Sequence, residues 1–359
     1  MNIAHETILE VDFNALSDNL TYLKSKLKTN TKVIAVIKAY AYGHGDVRLA
    51  KKLESLGVYA FWVADFEEGT RLREAGITVP IIIANPGLKS VDKIIKHQLD
   101  VVIYNTDLLH LFGALNTNIN IHIKFNTGMN RYGFENHEIA YIANALKKYP
   151  KLNVQSICSH LAASDTPSKD EFTLKQIEQF DLIHKQFSEA TQLKVGRHIL
   201  NTNGVLRFSK KQYEMVRLGI GLYGGAHDNN LKQISTLKSV ISQLRTVPKG
   251  MSIGYNASYI AKKEMAIAVV PFGYADGLNR RLSENNGHVR LRNQTCPIIG
   301  KISMDSCIID VSNCNCKLGD EVIIFGTSNT ILSIAEKIKT IPYEIYATLN
   351  RRIKRIYVD

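Results

Sequence analysis

The sequence holds no run of the roughly 18 consecutive apolar residues that a membrane span needs, so no membrane association is expected. Met1 to Glu10 lacks the basic start and apolar stretch of a secretory signal, and no internal repeat or low-complexity tract interrupts the chain. Cysteine is scarce: there are five, an odd number, and Cys158, Cys296 and Cys307 sit in apolar surroundings that fit reduced core thiols. Reduced thiols make the cytoplasm the expected compartment. Cys314 and Cys316 flank one residue with no second ligand pair nearby, so a loop is expected there rather than a metal site. Acidic residues are the minority, 33 against 45 Lys and Arg, for a formal charge of +12. A basic surface can attract nucleic acid. Here the lysines are spread along the chain, and the densest cluster, Arg351, Arg352, Lys354 and Arg355, comes with no nucleic-acid-binding motif. No nucleic-acid partner is expected, and the charge reads as a solubility feature with some attraction for anionic small molecules.

What is present is a globular composition, 45% hydrophobic and 22% charged, over 359 residues. That length suits two domains, one of which can be a large barrel. The most informative stretch runs from Val33 to Gly45. Val33 to Ile37 has the length and β-branched content of a strand buried on both faces, and it ends in Lys38. A lysine desolvated at a strand tip can act as a base or form a Schiff base, although a lone lysine in such a place also snorkels to solvent. The small and glycine residues that follow allow close approach of backbone to a ligand.

Asp12 is placed to cap a helix from Phe13 to Leu27. After the strand that ends at Lys38, strand-like runs recur at Tyr59 to Ala64, Ile81 to Ala84, Val101 to Tyr104, Ile119 to Phe125, Val154 to Ser159, His198 to Leu200 and Val216 to Ile220, with mostly helical patterns between them. Eight parallel strands joined by right-handed crossovers predict an α/β fold, a (β/α)8 TIM-type barrel over residues 1–225. The remainder, 226–359, reads as a smaller, mainly β domain. Its strands are expected at Ser239 to Val247, Met265 to Val270, His288 to Arg292, Cys296 to Ile302, Cys307 to Val311 and Glu321 to Phe325, and only Leu332 to Ile338 looks helical.

Active sites of such barrels lie at the C-terminal ends of the strands. Polar residues gather there: Lys38 and Tyr42 after the first strand, Lys124 with Asn126 and Arg131 at the fifth, and His160 at the sixth. Asn201 and Thr202 follow the seventh, and Arg217, Gly219 and Ile220 belong to the eighth. The last two loops, where these barrels commonly hold phosphate, offer a hydroxyl and glycine-exposed amides. Turn glycines with cap residues would look the same. A Schiff-base lysine and a phosphate cradle on one rim together suggest pyridoxal 5′-phosphate.

Five ordered blocks give the chain a specific likeness: Lys38 to Gly45, Asn126 to Arg131, Arg217 to Ile220, Gly273 to Gly277, and Met304-Asp305. With them it resembles the alanine racemase family over essentially its whole length. The resemblance implies a homodimer in which the C-terminal domain contributes to the partner's active site, and a reaction that interconverts L-alanine and D-alanine, supplying D-alanine for peptidoglycan. Lys38 would carry the cofactor covalently and serve as base on one face of the substrate, and Tyr255 from the other subunit would serve on the opposite face, the two bases that racemisation requires. Arg217 would face the pyridine nitrogen, supported by His160, while Tyr42, Thr202, Gly219 and Ile220 would contact the phosphate. Arg131 and the backbone at Met304 would meet the substrate carboxylate, Tyr274 would stand at the entrance, and Lys124 matches a lysine that is often carbamylated. Tyr40, Asn126, Ser303 and Arg351 depart from the usual pattern and bear on substrate choice more than on reaction type. Other readings stay open: a racemase of serine, lysine or several amino acids, a non-catalytic pyridoxal-phosphate carrier, or a nucleic-acid-binding protein.

Overall fold

The computed structural model describes residues 4–115 and 117–359. The chain forms two compact units. One contains Leu20–Ala41 and Asp46–Gly221, and the other contains the residues up to Asn19, Tyr42–Gly45 and Leu222–Asp359.

The first unit is the expected barrel. Taking β1 as Ile8–Asp12, a strand of the other unit, the barrel strands are β2 (Lys32–Val36), β3 (Ala60–Val63), β4 (Ile81–Ile83), β5 (Asp100–Ile103), β6 (Ile119–Lys124), β7 (Leu152–Cys158), β8 (Gly196–His198) and β9 (Met215–Leu218). They pair in parallel in the order β8-β7-β6-β5-β4-β3-β2-β9. At the remaining seam Arg217 N donates to Leu200 O at 2.9 Å, so the barrel is nearly closed. Every residue of β3, β4, β5 and β9 is buried, as expected of strands covered on both faces.

Helices follow most strands. Their starts are set by side chains: Asp12 Oδ1 accepts from Ala15 N at 2.9 Å, Asp65 Oδ1 from Glu68 N at 3.0 Å, and Asn105 Oδ1 from Leu108 N at 2.9 Å. The helices Thr106–Gly113 and Thr202–Phe208 are additions to the sequence reading. Both begin behind an asparagine cap, a signal the periodicity of such short segments does not carry alone.

The second unit is mainly β. Its strands are β10 (Ser235–Val240), β11 (Gln243–Val247), β12 (Ser252–Ile253), β13 (Tyr259–Ile260), β14 (Met265–Val270), β15 (His288–Leu291), β16 (Gln294–Ile299), β17 (Cys307–Asp310), β18 (Glu321–Phe325) and β19 (Lys354–Val358). With β1 they make a nine-stranded sheet in the order β11-β14-β17-β16-β15-β18-β10-β1-β19, while β12 and β13 form a separate hairpin. Three expectations change here. The single strand read from Ser239 to Val247 is two, because Ile241 N turns to Asp320 O at 3.0 Å and Ser242 N to Val269 O at 2.9 Å, sending β10 and β11 to different parts of the sheet. A second helix, Pro342–Ala347, starts on a proline, whose missing N–H costs nothing in the first turn. One boundary near residue 225 would also leave the N-terminal strand with the barrel. Instead β1 pairs antiparallel with β10 and parallel with β19, since its alternating buried and half-buried residues suit a sheet with one face in a core.

Candidate active site

The turn after β2 is left-handed. Ala39, Tyr40, Ala41 and Tyr42 all have positive φ, between 50° and 56°, and Ala41 N closes the turn on Ile37 O at 2.9 Å. Left-handed backbone costs about 1–2 kcal/mol per non-glycine residue, so about 4–8 kcal/mol is held immediately beside Lys38. In the barrel unit Glu68 braces it: its Oε1 accepts from Ala39 N at 2.7 Å and its Oε2 from Ala64 N, at the end of β3, at 2.8 Å. Burial pushes the Glu68 carboxyl up, against the pull of these two amides. In the other unit Tyr42 stacks on Tyr223 with ring centres 4.8 Å apart, and Gly43 is obligatory, because a Cβ there would stand 2.1 Å from Tyr346 O.

Lys38 and Lys124 share one electropositive environment. Burial, then the Arg131 and Arg217 charges, hold the Lys38 amine below its ordinary value, with Glu68 opposing. Lys124, at the end of β6, is lowered to about 8, first by burial and then by Arg217, Arg131 and Lys38, with Cys158 opposing. Its Nζ lies 5.6 Å from the centre of the Tyr132 ring.

Arg131 sits in a loop tied at its neck by Asn126 N to Phe134 O at 2.9 Å and Phe134 N to Lys124 O at 2.8 Å. Asn126 organises the inside. Its Oδ1 accepts from Gly128 N at 3.1 Å and Asn130 N at 3.0 Å, and its Nδ2 donates to Asn130 Oδ1 at 2.8 Å and Glu135 Oε1 at 2.7 Å. An aspartate could make only the first two bonds. The departure at Asn126 therefore has a structural reason in this chain.

Arg217, on β9, is buried, with its guanidinium carbon 5.2 Å from the Trp62 ring centre. NH2 donates to Ser159 O at 2.6 Å, Ile199 O at 3.2 Å and His160 Nδ1 at 3.1 Å, and NH1 donates to His198 O at 3.1 Å and His198 Nδ1. Among the described residues no acceptor lies on its Nε–H. Because a guanidinium has no lone pair to offer, both histidines must present unprotonated Nδ1 atoms. Burial and the Arg217 charge keep His160 and His198 well below the usual imidazole range, so both are neutral.

The sequence marks His198 only as a strand residue, yet it is as close to Arg217 as His160 is. Its tautomer fixes a longer chain of bonds. With the proton on Nε2, His198 donates to Ser156 Oγ at 3.0 Å. Ser156 then donates to His122 Nδ1 at 2.6 Å, which leaves the His122 Nε2 proton facing Asp100 Oδ2 at 3.5 Å, too long for a hydrogen bond. Five successive strands, β5 to β9, each give one polar side chain to this line through the barrel interior.

Thr202 begins its helix behind Asn201, whose Oδ1 accepts from Gly204 N at 2.9 Å. Its hydroxyl accepts from Gly219 N at 3.0 Å and Gly221 N at 3.3 Å, so the two loops singled out for phosphate are joined. A Cβ on Gly221 would come within 2.5 Å of Thr202 Cγ2. Ile220 is buried beside them.

In the other unit Tyr274 and Met304 are brought together: Tyr274 N donates to Ser303 O at 3.0 Å and Ala275 N to Met304 O at 2.9 Å. Arg352 clasps two further residues of these blocks, Asp276 Oδ1 at 2.6 Å and Asp305 Oδ1 at 2.7 Å. Tyr255 lies apart, on the turn between β12 and β13. All three are open in the single chain, Tyr255 by 66%, Met304 by 54% and Tyr274 by 43%.

Comparison with known proteins covers nearly the whole chain. Residues 11–227 match the model of the alanine racemase N-terminal domain, and residues 234–357 that of the alanine racemase C-terminal domain. The chain is 36% identical to alanine racemase 1 of Caldanaerobacter subterraneus subsp. tengcongensis, over 98% of this chain and 94% of that one. The solved alanine racemase of Clostridium difficile 630 is 30% identical, with a TM-score of 0.93 over 99% of this chain and 97% of its own. A Bartonella henselae alanine racemase, solved with covalently bound pyridoxal phosphate, is 28% identical, with a TM-score of 0.89 over 99% of this chain and 100% of its own. Matched along both of its units, the chain belongs to the alanine racemase family.

Proposed function

We propose that this protein interconverts L-alanine and D-alanine with pyridoxal 5′-phosphate as cofactor. The observation that carries the reading is the pairing of Lys38, an amine made less basic by burial and by two arginines, with an Arg217 whose Nε–H alone is left without an acceptor. The residues fit the group. Lys38 offers the amine for the covalent link, Arg217 Nε–H a donor for the ring nitrogen, and Tyr42, Thr202, Gly219 and Ile220 the contacts for the phosphate.

When bound, the cofactor supplies a sink for the electron pair left as the substrate's α-proton departs. The chain does the rest. Lys38 Nζ exchanges the proton on one face and the phenol of the partner's Tyr255 on the other, so that removal and return invert the centre. Arg131 and the backbone at Met304 hold the substrate carboxylate, and Tyr274 limits the entrance. The Arg217 guanidinium stays protonated and can only donate, and its hydrogen-bonding partners fix its plane, so it would leave a ring nitrogen placed against its Nε–H unprotonated and would restrain side reactions.

A homodimer follows from this assignment, since Tyr255, Tyr274 and Met304 stand open in one chain. Carbamylated Lys124 would turn a positive neighbour of Arg131 into a negative one. The described residues include no helix long and apolar enough to cross a membrane. A cytoplasmic location and supply of D-alanine for peptidoglycan are part of the same proposal. The test is turnover of a panel of L-amino acids by the purified protein and by Tyr255→Phe. Preferred turnover of alanine, severely reduced in the variant, supports the reading. A colourless protein that stays inactive with added cofactor, or better rates on a bulky amino acid, overturns it.

A further inference from the structure

Three of the five cysteines, none of them given a role above, fall together in the β unit. Cys296 is buried in β16, and Cys314 and Cys316 are half-buried in the loop after β17. The Sγ atoms of Cys296 and Cys314 are 3.4 Å apart. Local backbone chemistry makes this approach. Asp310 Oδ1 accepts from Ser312 N at 2.9 Å, and Cys314 N donates to Val311 O at 2.8 Å, a tight turn that folds the chain leaving β17 back over its neighbour β16. Asp320 Oδ2 pins the far side of the loop, accepting from Lys317 N at 3.0 Å and Arg292 NH2 at 3.1 Å.

We propose that Cys296 and Cys314 form a redox modification site, a dithiol that a peroxide-class oxidant converts to an intrachain disulfide. The thiols lie about 1.4 Å beyond the bonded S–S distance, a gap that side-chain rotation can close. The half-buried Cys314 meets the oxidant first: its sulfur takes one peroxide oxygen as a sulfenic acid, and the other oxygen leaves as water. The Cys296 sulfur then attacks the Cys314 sulfur, forming the S–S bond as the sulfenic oxygen leaves as a second water with the Cys296 proton. Two thiol sulfurs are oxidised and one peroxide is reduced. Cys316 remains a thiol.

Burial, then the adjoining Cys314, pushes the Cys296 thiol up to about 12, so the closing step is slow near neutral pH and quickens as pH rises. Among the described residues no group of three or more His, Cys, Asp or Glu is placed to hold a metal ion. In a reducing compartment the bond would be transient.

The experiment treats the native holoenzyme with hydrogen peroxide, blocks remaining thiols with N-ethylmaleimide under denaturing conditions and maps the linkage by mass spectrometry. Trypsin cuts after Arg292, Lys301 and Lys317 separate Cys296 from the peptide that bears Cys307, Cys314 and Cys316. Titratable thiols should fall from five to three, with Cys296 linked to Cys314. Cys316→Ser should keep the link and Cys314→Ser should abolish it. Five surviving thiols, a Cys314 to Cys316 link, or oxidation that stops at a sulfinic acid on Cys314 would overturn the proposal.

Discussion

The amine of Lys124 should react with carbon dioxide on a pH profile that no ordinary lysine has. Only the neutral amine attacks CO2, and the structure lowers this group to about 8 from 10.5. At pH 7 the neutral fraction is then about 9%, against about 0.03% for an unshifted lysine, a gain of about 300-fold in the reactive form. The Arg131, Arg217 and Lys38 charges that disfavour the ammonium also favour the carbamate anion once it forms. The assay strips the protein of CO2, adds labelled CO2 at fixed dissolved concentration and follows a carbamate carbon resonance. Because the pKa is depressed, the neutral form gains as pH rises towards 8 and saturates above it. The formation rate should climb about fivefold from pH 7 to 8 and less than about twofold from pH 8 to 9. A rate that rises tenfold per unit through pH 9, or a label that survives Lys124→Met unchanged, would refute the reasoning.

Asn126→Asp should loosen the loop that carries Arg131, because it removes both Nδ2 donations and sets a carboxylate against Glu135; a several-fold rise in the KM for alanine, with the larger loss at high pH, is the expected result. Ser156→Ala strands the His198 Nε2 proton and the His122 Nδ1 lone pair in the barrel interior, which should lower stability by about 2–4 kcal/mol in urea unfolding. Ring-nitrogen NMR of the unaltered protein should find His160 and His198 neutral and protonated on Nε2 down to pH 5, and protonation of either near pH 6.5 would contradict their burial beside Arg217. Gly43→Ala, with φ at +79° and Tyr346 O in the way, should cost about 3 kcal/mol or more, read as a fall in the thermal midpoint.

The barrel was legible because its strands are short apolar runs between helical patterns, and the rim residues because each follows such a run. Other features left no mark of their own. Nothing in Lys38-Ala39-Tyr40-Ala41-Tyr42 announces left-handed backbone, since the glycines that tolerate it come only at Gly43 and Gly45. His198 and Ser156 lie inside strands, where a polar residue reads as solvent-facing until the eight strands close around the barrel interior and it turns inward. Glu68 belongs to a helix whose start is capped by Asp65, and only tertiary structure shows its carboxylate reaching the amide after Lys38. The split between β10 and β11 carries no glycine or proline, and the meeting of Cys296 with Cys314 depends on which strands are neighbours.

The pairing of β1 with β19 sets a condition on biosynthesis. The two strands lie side by side in parallel, although most of the chain is translated between them. A nascent chain must therefore leave Ile8–Asp12 with both hydrogen-bonding edges bare until β10 is made and one edge bare until β19 is, over the tens of seconds that elongation of such a length takes. The barrel strands, each beside one that precedes or follows it closely along most of the ring, can assemble meanwhile. During that interval the bare edge is where a premature stop would leave the protein open to association with itself, and where a chaperone would have cause to wait.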